Sequence, residues 1–105
     1  MDTNDIVIVS LVSPREKIWG QLLRLEPQGV TVRGIEITSF DDFMRQIVTQ
    51  EEMIVGMTTV FYPMHRVECV AKDESSGTLP SLGERFHRRV GQSIQEYLGI
   101  EAPRV

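Results

Sequence analysis

The feature of this sequence that most constrains its fold is residues 6–12, a nearly unbroken run of β-branched and apolar side chains. Such residues favour extended backbone, and a strand without polar alternation is typical of a strand covered on both faces. Ser13 and Pro14 follow at once and predict a turn. The chain must therefore build a sheet around residues 6–12 with apolar material on each side, which favours a mainly β fold.

Four more segments have strand character, and they cover residues 17–26, 30–38, about 53–62, and 66–72. Gly20 lies in the middle of the second strand, where glycine suits a bend or the close approach of another backbone. In the third strand the apolar positions change parity across Gly34, which predicts a β-bulge. In the fifth strand Cys69 alternates with apolar neighbours, which predicts a small buried side chain.

Two helices complete the prediction. Residues 40–48 place their apolar side chains at helical spacing, which favours a short helix inserted between the third and fourth strands. Residues 79–99 are predicted to form one longer amphipathic helix, which begins with a capping box at Ser81 and Glu84 and stops at Gly99.

The predicted order is therefore β-β-β-α-β-β-α. Short antiparallel strands joined by tight turns are most simply closed into a small barrel, because closure removes the sheet edges. A chain of 105 residues is the size of one domain and can bury a substantial core. We therefore expect residues 1–105 to form a single domain, built on a small five-stranded barrel.

Two segments resemble the motifs of a known family. Residues 19–26 followed by 29–32 have a glycine in the second strand, an apolar residue two positions on, and an acid before the hairpin. Residues 60–70 resemble a strand, a one-turn kink and another strand. Together these segments are similar to the two motifs of Sm-like (LSm) proteins, and the chain resembles a divergent bacterial-type member over residues 5–73.

The resemblance implies a five-stranded, strongly bent barrel of the SH3-like type that assembles into rings, and many Sm-like proteins bind single-stranded RNA. It predicts a homo-oligomer in which the strand at 53–62 pairs with the strand at 66–72 of the next subunit. The surplus of apolar residues in the first and third strands also predicts an oligomer, since one small barrel has little interior in which to bury them. The terminal helix is expected to pack on its own barrel or on a neighbour.

The sequence favours a non-enzymatic scaffold or interaction module, with an RNA-binding ring as the alternative. The net charge is −4, so a basic footprint over the whole surface is absent. Candidate contacts to nucleic acid or to a partner are Tyr62, His65, Arg85, Arg88 and Arg89. Tyr62 could stack on a base, and helical spacing places the three arginines on one face.

No sequence motif for catalysis or cofactor binding is present, so we expect neither activity nor cofactor. His65 and Cys69 are four residues apart, but a thiol–imidazole metal site needs three or four ligands. The paired carboxylates at 41–42 and 51–52 are explained by helix capping and a solvated turn. No metal site is predicted.

The sequence also predicts a soluble, cytoplasmic protein. Its longest uncharged stretch, residues 53–65, is too short to cross a bilayer, which takes about 20 residues. The first five residues are acidic, whereas a secretory signal begins with positive charge. A single cysteine excludes an internal disulfide and suits a reducing compartment.

Overall fold

The computed structural model describes residues 1–100. Its five strands are β1 (Ile6–Leu11), β2 (Glu16–Glu26), β3 (Gly29–Glu36), β4 (Thr58–Pro63) and β5 (Val67–Lys72). Its helices are α1 (Phe40–Thr49), α2 (Leu82–Val90) and α3 (Ile94–Leu98), and single 3-10 turns cover Ile37–Ser39 and Met64–Arg66. The inserted helix is therefore present, while β4 begins five residues later than the predicted start at 53.

The strands form one antiparallel sheet in the order β4-β3-β2-β1-β5. The mainly β class and the five antiparallel strands are as predicted. The closed barrel is not observed: within residues 1–100 no ladder joins β4 to β5, and these strands are the two edges of an open sheet.

Two apolar cores lie on opposite faces of this sheet. The first, here called the strand core, is built from strand residues alone and consists of Val7, Val9, Leu11, Ile18, Leu22, Val30 and Val32. The second, here called the helix core, lies between the sheet and the helices and consists of Ile6, Trp19, Ile35, Phe40, Phe43, Met44, Phe86 and Ile94. Because β1 supplies residues to both, its unbroken apolar sequence is explained by burial on both faces.

The two cores also explain why the apolar positions of β3 change from even to odd residue numbers across Gly34. Val30 and Val32 face the strand core, whereas Ile35 faces the helix core. The predicted bulge at Gly34 is wrong, since Gly34 lies directly opposite Gly20 in regular register. The register of this pair of strands shifts instead at Leu23, in β2.

The predicted burial of Cys69 is wrong as well. The pairing of β5 with β1 shifts register at Glu68, so that Val67 and Val70, rather than alternate residues, pack against the strand core. Cys69 is exposed. One extra residue in a strand reverses which side chains point inward beyond it, and the sequence alternation does not reveal where that residue is.

The single helix predicted over 79–99 is two helices. α2 ends at Val90 and is capped by Gly91, which adopts a left-handed conformation with φ of 90°. α3 then begins with Ser93, whose hydroxyl accepts a hydrogen bond from the Glu96 backbone N–H. The sequence contains both features, Gly91 and a second S-x-x-E capping box at Ser93. The apolar positions nevertheless continue at helical spacing through residues 82–98, which favoured the prediction of one helix.

The helix core holds a cluster of aromatic rings that ties α1 and α2 to the sheet. The Trp19 ring lies 5.0 Å from that of Phe40 and 6.0 Å from that of Phe86, and Phe43 stacks on Phe86 at 5.9 Å. The second apolar face of the sheet is thus covered by the chain's own helices. The surplus of apolar residues in β1 and β3 therefore gives no reason for a second subunit, contrary to the sequence argument.

None of the helices in residues 1–100 is long and apolar enough to cross a membrane.

Candidate functional site

The edge strand β4 presents the most unusual surface among the described residues. Thr58–Pro63 carries no charged side chain, and Val60 and Phe61 are 37% and 53% exposed. Sheet edges are usually protected by charges, bulges or a covering element, since their free backbone groups can pair with another chain. β4 pairs with β3 on one side only, so its other side is open to a partner.

The opposite edge, β5, is more polar. Glu68 and Lys72 are exposed on it, and the bulge at Glu68 interrupts its pairing with β1. Val67 and Val70 are only half-buried although they pack against the strand core. The strand core is therefore incompletely covered along this edge of the sheet.

A groove of about 410 Å³ lies between β3, β4 and the loop that precedes β4. Its apolar lining includes Ile18, Val32, Ile35, Ile54, Val55 and Val60. Its polar groups come from Ser39, Thr58, Glu36 and Tyr62. The volume of this groove is within the range of small-ligand sites.

The loop over this groove is held by Gln46, a buried residue of α1. The Gln46 side-chain oxygen accepts hydrogen bonds from the backbone N–H groups of Ile54 and Val55, at 2.5 and 3.0 Å. Its amide donates to the Val55 carbonyl at 3.2 Å. These bonds satisfy the buried amide and keep Ile54 in place, although its side chain is 88% exposed.

Tyr62 lies at the inner side of β4, half-buried against the strand core. Burial raises the pKa of its hydroxyl, and the carboxylates of Glu16 and Glu36 raise that pKa further. The Arg66 guanidinium, 6.0 Å from the ring centre, acts in the opposite direction. The phenol is therefore neutral at physiological pH, and its surroundings are net negative.

Arg66 is a structural residue that the sequence analysis missed. Its guanidinium donates to the carbonyls of Val12 and Pro14, at 3.1 and 2.8 Å, and pairs with Glu16 at 3.0 Å. It thus joins the β1–β2 turn to the 3-10 turn between β4 and β5. These partners are more than 45 residues away along the chain, so no local pattern could have indicated them.

Asp73 was also missed. Its carboxylate accepts hydrogen bonds from the Trp19 indole at 3.0 Å and from the backbone N–H groups of Leu82 and Gly83 at 3.0 and 2.8 Å. It therefore anchors the start of α2 to the sheet. Trp19 is fully buried and is not available for stacking on a ligand.

The five candidate contact residues do not form one site. Tyr62 packs against the strand core, whereas α2, which carries the arginines, packs on the other face of the sheet through Phe86. His65 is exposed in the turn after β4. Residues 1–100 contain no group of three or more side chains arranged to hold a metal ion.

Two of the three arginines on α2 have acidic partners. Arg85 lies 3.7 Å from the Asp41 carboxylate and also over the Phe40 ring, at 5.2 Å. Arg88 pairs with Glu84 one turn before it on α2. Arg89 is exposed. Much of the local positive charge is thus offset by neighbouring carboxylates.

No family model, no curated protein and no solved structure matches this chain.

Proposed function

We propose that this protein is a non-enzymatic interaction module of the Sm-like type. It assembles into a homo-oligomer by pairing β4 of one chain with β5 of the next. The observation that carries the proposal is the pair of open sheet edges, one of which is uncharged and bears exposed apolar side chains. Because the two edges differ, such pairing is head to tail and closes into a ring if the rotation between subunits permits it.

The half-covered strand core supports this arrangement. Tyr62 on β4 and Val67 and Val70 on β5 all pack against that core while keeping part of their surface in water. Sheet continuation would cover these side chains and would also satisfy the free backbone groups of both edges. Removal of apolar surface from water contributes about 25 cal/mol per Å², and the entropy lost on association offsets part of that gain.

The local structure supports an Sm-like fold in two places. β4 and β5 are separated by a single 3-10 turn, Met64–Arg66, which is the strand–kink–strand arrangement of the second motif. Gly20, the glycine of the first motif, lies in β2 directly opposite Gly34 of β3, and the two backbones come close together there. A sheet left open within each chain is also what assembly by edge pairing requires.

Light scattering coupled to gel filtration tests the proposal. The wild-type chain is expected to have a mass of several times 12.0 kDa, and Val60→Lys is expected to shift the population to smaller species, because it places a charge on the uncharged edge. Val48→Lys, the same change at an exposed position on α1, is the matched control and should leave the mass unchanged. Circular dichroism verifies that both variants are folded.

A monodisperse wild-type monomer at tens of micromolar would overturn the proposal. A Val60→Lys protein that keeps the wild-type mass would show that another surface mediates assembly.

RNA binding by a ring is the alternative function. The arginines of α2 could contribute only a weak, electrostatic interaction, since Arg85 and Arg88 are already paired with carboxylates. Affinity for oligo-U and oligo-A should therefore be low, fall steeply with salt and drop further in the double variant Arg88→Glu, Arg89→Glu. Tight, base-selective binding that survives both changes would instead establish the RNA-binding function.

A further inference from the structure

The groove between β3, β4 and the loop before β4 carries a negatively charged side chain, although most of the residues that line it are apolar. Among the residues that line it, Glu36 is the one acidic side chain, and no basic side chain is present. Glu36 has no basic partner in the ion pairs of residues 1–100, and its contact there is with the Thr38 hydroxyl at 3.4 Å. A carboxylate that forms no ion pair within residues 1–100 thus lies at the rim of this groove.

The remaining polar groups of the groove can also accept hydrogen bonds from a donor. The Tyr62, Thr58 and Ser39 hydroxyls each have lone pairs available to a ligand N–H. Tyr62 itself feels the negative potential of Glu16 and Glu36, and the opposing Arg66 guanidinium is held by its bonds to Glu16 and the β1–β2 turn. Because these hydroxyls can donate as well as accept, the sign of the ligand's charge is set by the carboxylates of Glu36 and Glu16, which disfavour an anion and favour a cation with N–H donors.

The apolar walls define the rest of the ligand. Ile18 and Val32 are buried at the base of the groove, and Val60 and Ile54 form its exposed sides. A volume of about 410 Å³ is within the range of small-ligand sites and holds an alkyl chain of several carbons. The loop that carries Ile54 is held by Gln46, so this wall exists before any ligand binds.

We propose that this groove is a binding site for a small organic ammonium cation with an apolar body, whose charged head meets Glu36 and whose alkyl chain lies between Val32, Val60 and Ile54. The inference does not rest on the oligomeric function proposed above, because the residues that line the groove come from one chain. Three of them, Thr58, Val60 and Tyr62, also belong to the edge strand β4, so the titrations are read together with the mass of the protein.

Three probes of equal chain length test the charge requirement. Hexylammonium, hexanol and hexanoate are titrated into the full-length protein, and the methyl signals of Ile54 and Val60 are followed by NMR. Hexylammonium is expected to bind saturably and to shift these signals, hexanol to bind about fivefold more weakly, and hexanoate more weakly still. Equal binding of all three, or no binding of hexylammonium at millimolar concentration, would overturn the assignment.

Two variants test the position of the ligand. Glu36→Gln keeps the shape of the side chain and removes its charge, so hexylammonium affinity should fall about fivefold while hexanol affinity is unchanged. Val60→Thr keeps the volume and removes apolar surface, so both affinities should fall. Glu74→Gln, an exposed carboxylate outside the groove, is the control and should change neither. An equal loss in Glu36→Gln and Glu74→Gln would show that attraction to the overall negative charge, rather than this groove, explains the binding.

Discussion

Replacement of Phe43 by alanine is expected to lower the free energy of unfolding by about 3 kcal/mol or more. The Phe43 ring is fully buried, stacks on Phe86 and meets the edge of Tyr97 at 5.6 Å. Removal of the ring leaves a cavity at the centre of the helix core, and α1 and α2 cannot collapse into it because both are also anchored to the sheet. Urea unfolding at one fixed protein concentration measures the change as a lower midpoint with an unaltered slope.

Val48→Ala is the control on the same helix. Its side chain is about half exposed, so the expected change is within about 0.5 kcal/mol. If Phe43→Ala unfolds at the wild-type urea concentration, α1 contributes nothing to the core and its place on the sheet is wrong.

Gly20→Ala is expected to destabilise the protein by about 3 kcal/mol, although it adds a single methyl group. A Cβ atom at Gly20 would lie 2.5 Å from the Gly34 Cα and closer still to the Arg33 carbonyl oxygen. Both neighbours are backbone atoms of β3, so no side chain can rotate away, and the two strands must separate. Urea unfolding and the amide spectrum of β3 report the loss of stability and the displacement.

Gly56→Ala provides the matched comparison. No atom lies within 4 Å of a Cβ placed at Gly56, and its backbone is not left-handed, so the substitution should be neutral or slightly stabilising. Equal stabilities of the two variants would mean that β2 and β3 do not approach each other as closely at Gly20 as the structure has it.

Local sequence patterns predicted the helices and strands well wherever the spacing of apolar residues was enough to define the element. The inserted helix was expected over 40–48 and covers Phe40–Thr49, and the strand expected over 17–26 covers Glu16–Glu26. The capping box at Ser81 was also correct, since its hydroxyl accepts from the Glu84 N–H at 3.0 Å. Backbone preference and side-chain spacing act over a few residues, and this information is in the sequence itself.

The candidate site was predicted only in part. Tyr62 and the β4 strand were identified from their sequence, but the groove beside them depends on Gln46, whose side chain reaches a loop eight or nine residues later. Tyr62 and the arginines of α2 were both named as candidate contacts, but α2 packs on the face of the sheet opposite to the one that Tyr62 contacts. A sequence pattern shows which residues share one element, but not which elements share a surface.

The sequence by itself determined that this chain forms five strands and an inserted helix, because periodicity and backbone preference are local properties. The tertiary structure alone decided which faces those elements bury. The helices cover the second face of β1 and β3. The bulge at Glu68 turns Cys69 outward. The side chains of Arg66 and Asp73 form hydrogen bonds that join segments far apart in the chain. The physical reason is that burial depends on long-range pairing, in which one extra residue reverses the direction of every side chain beyond it.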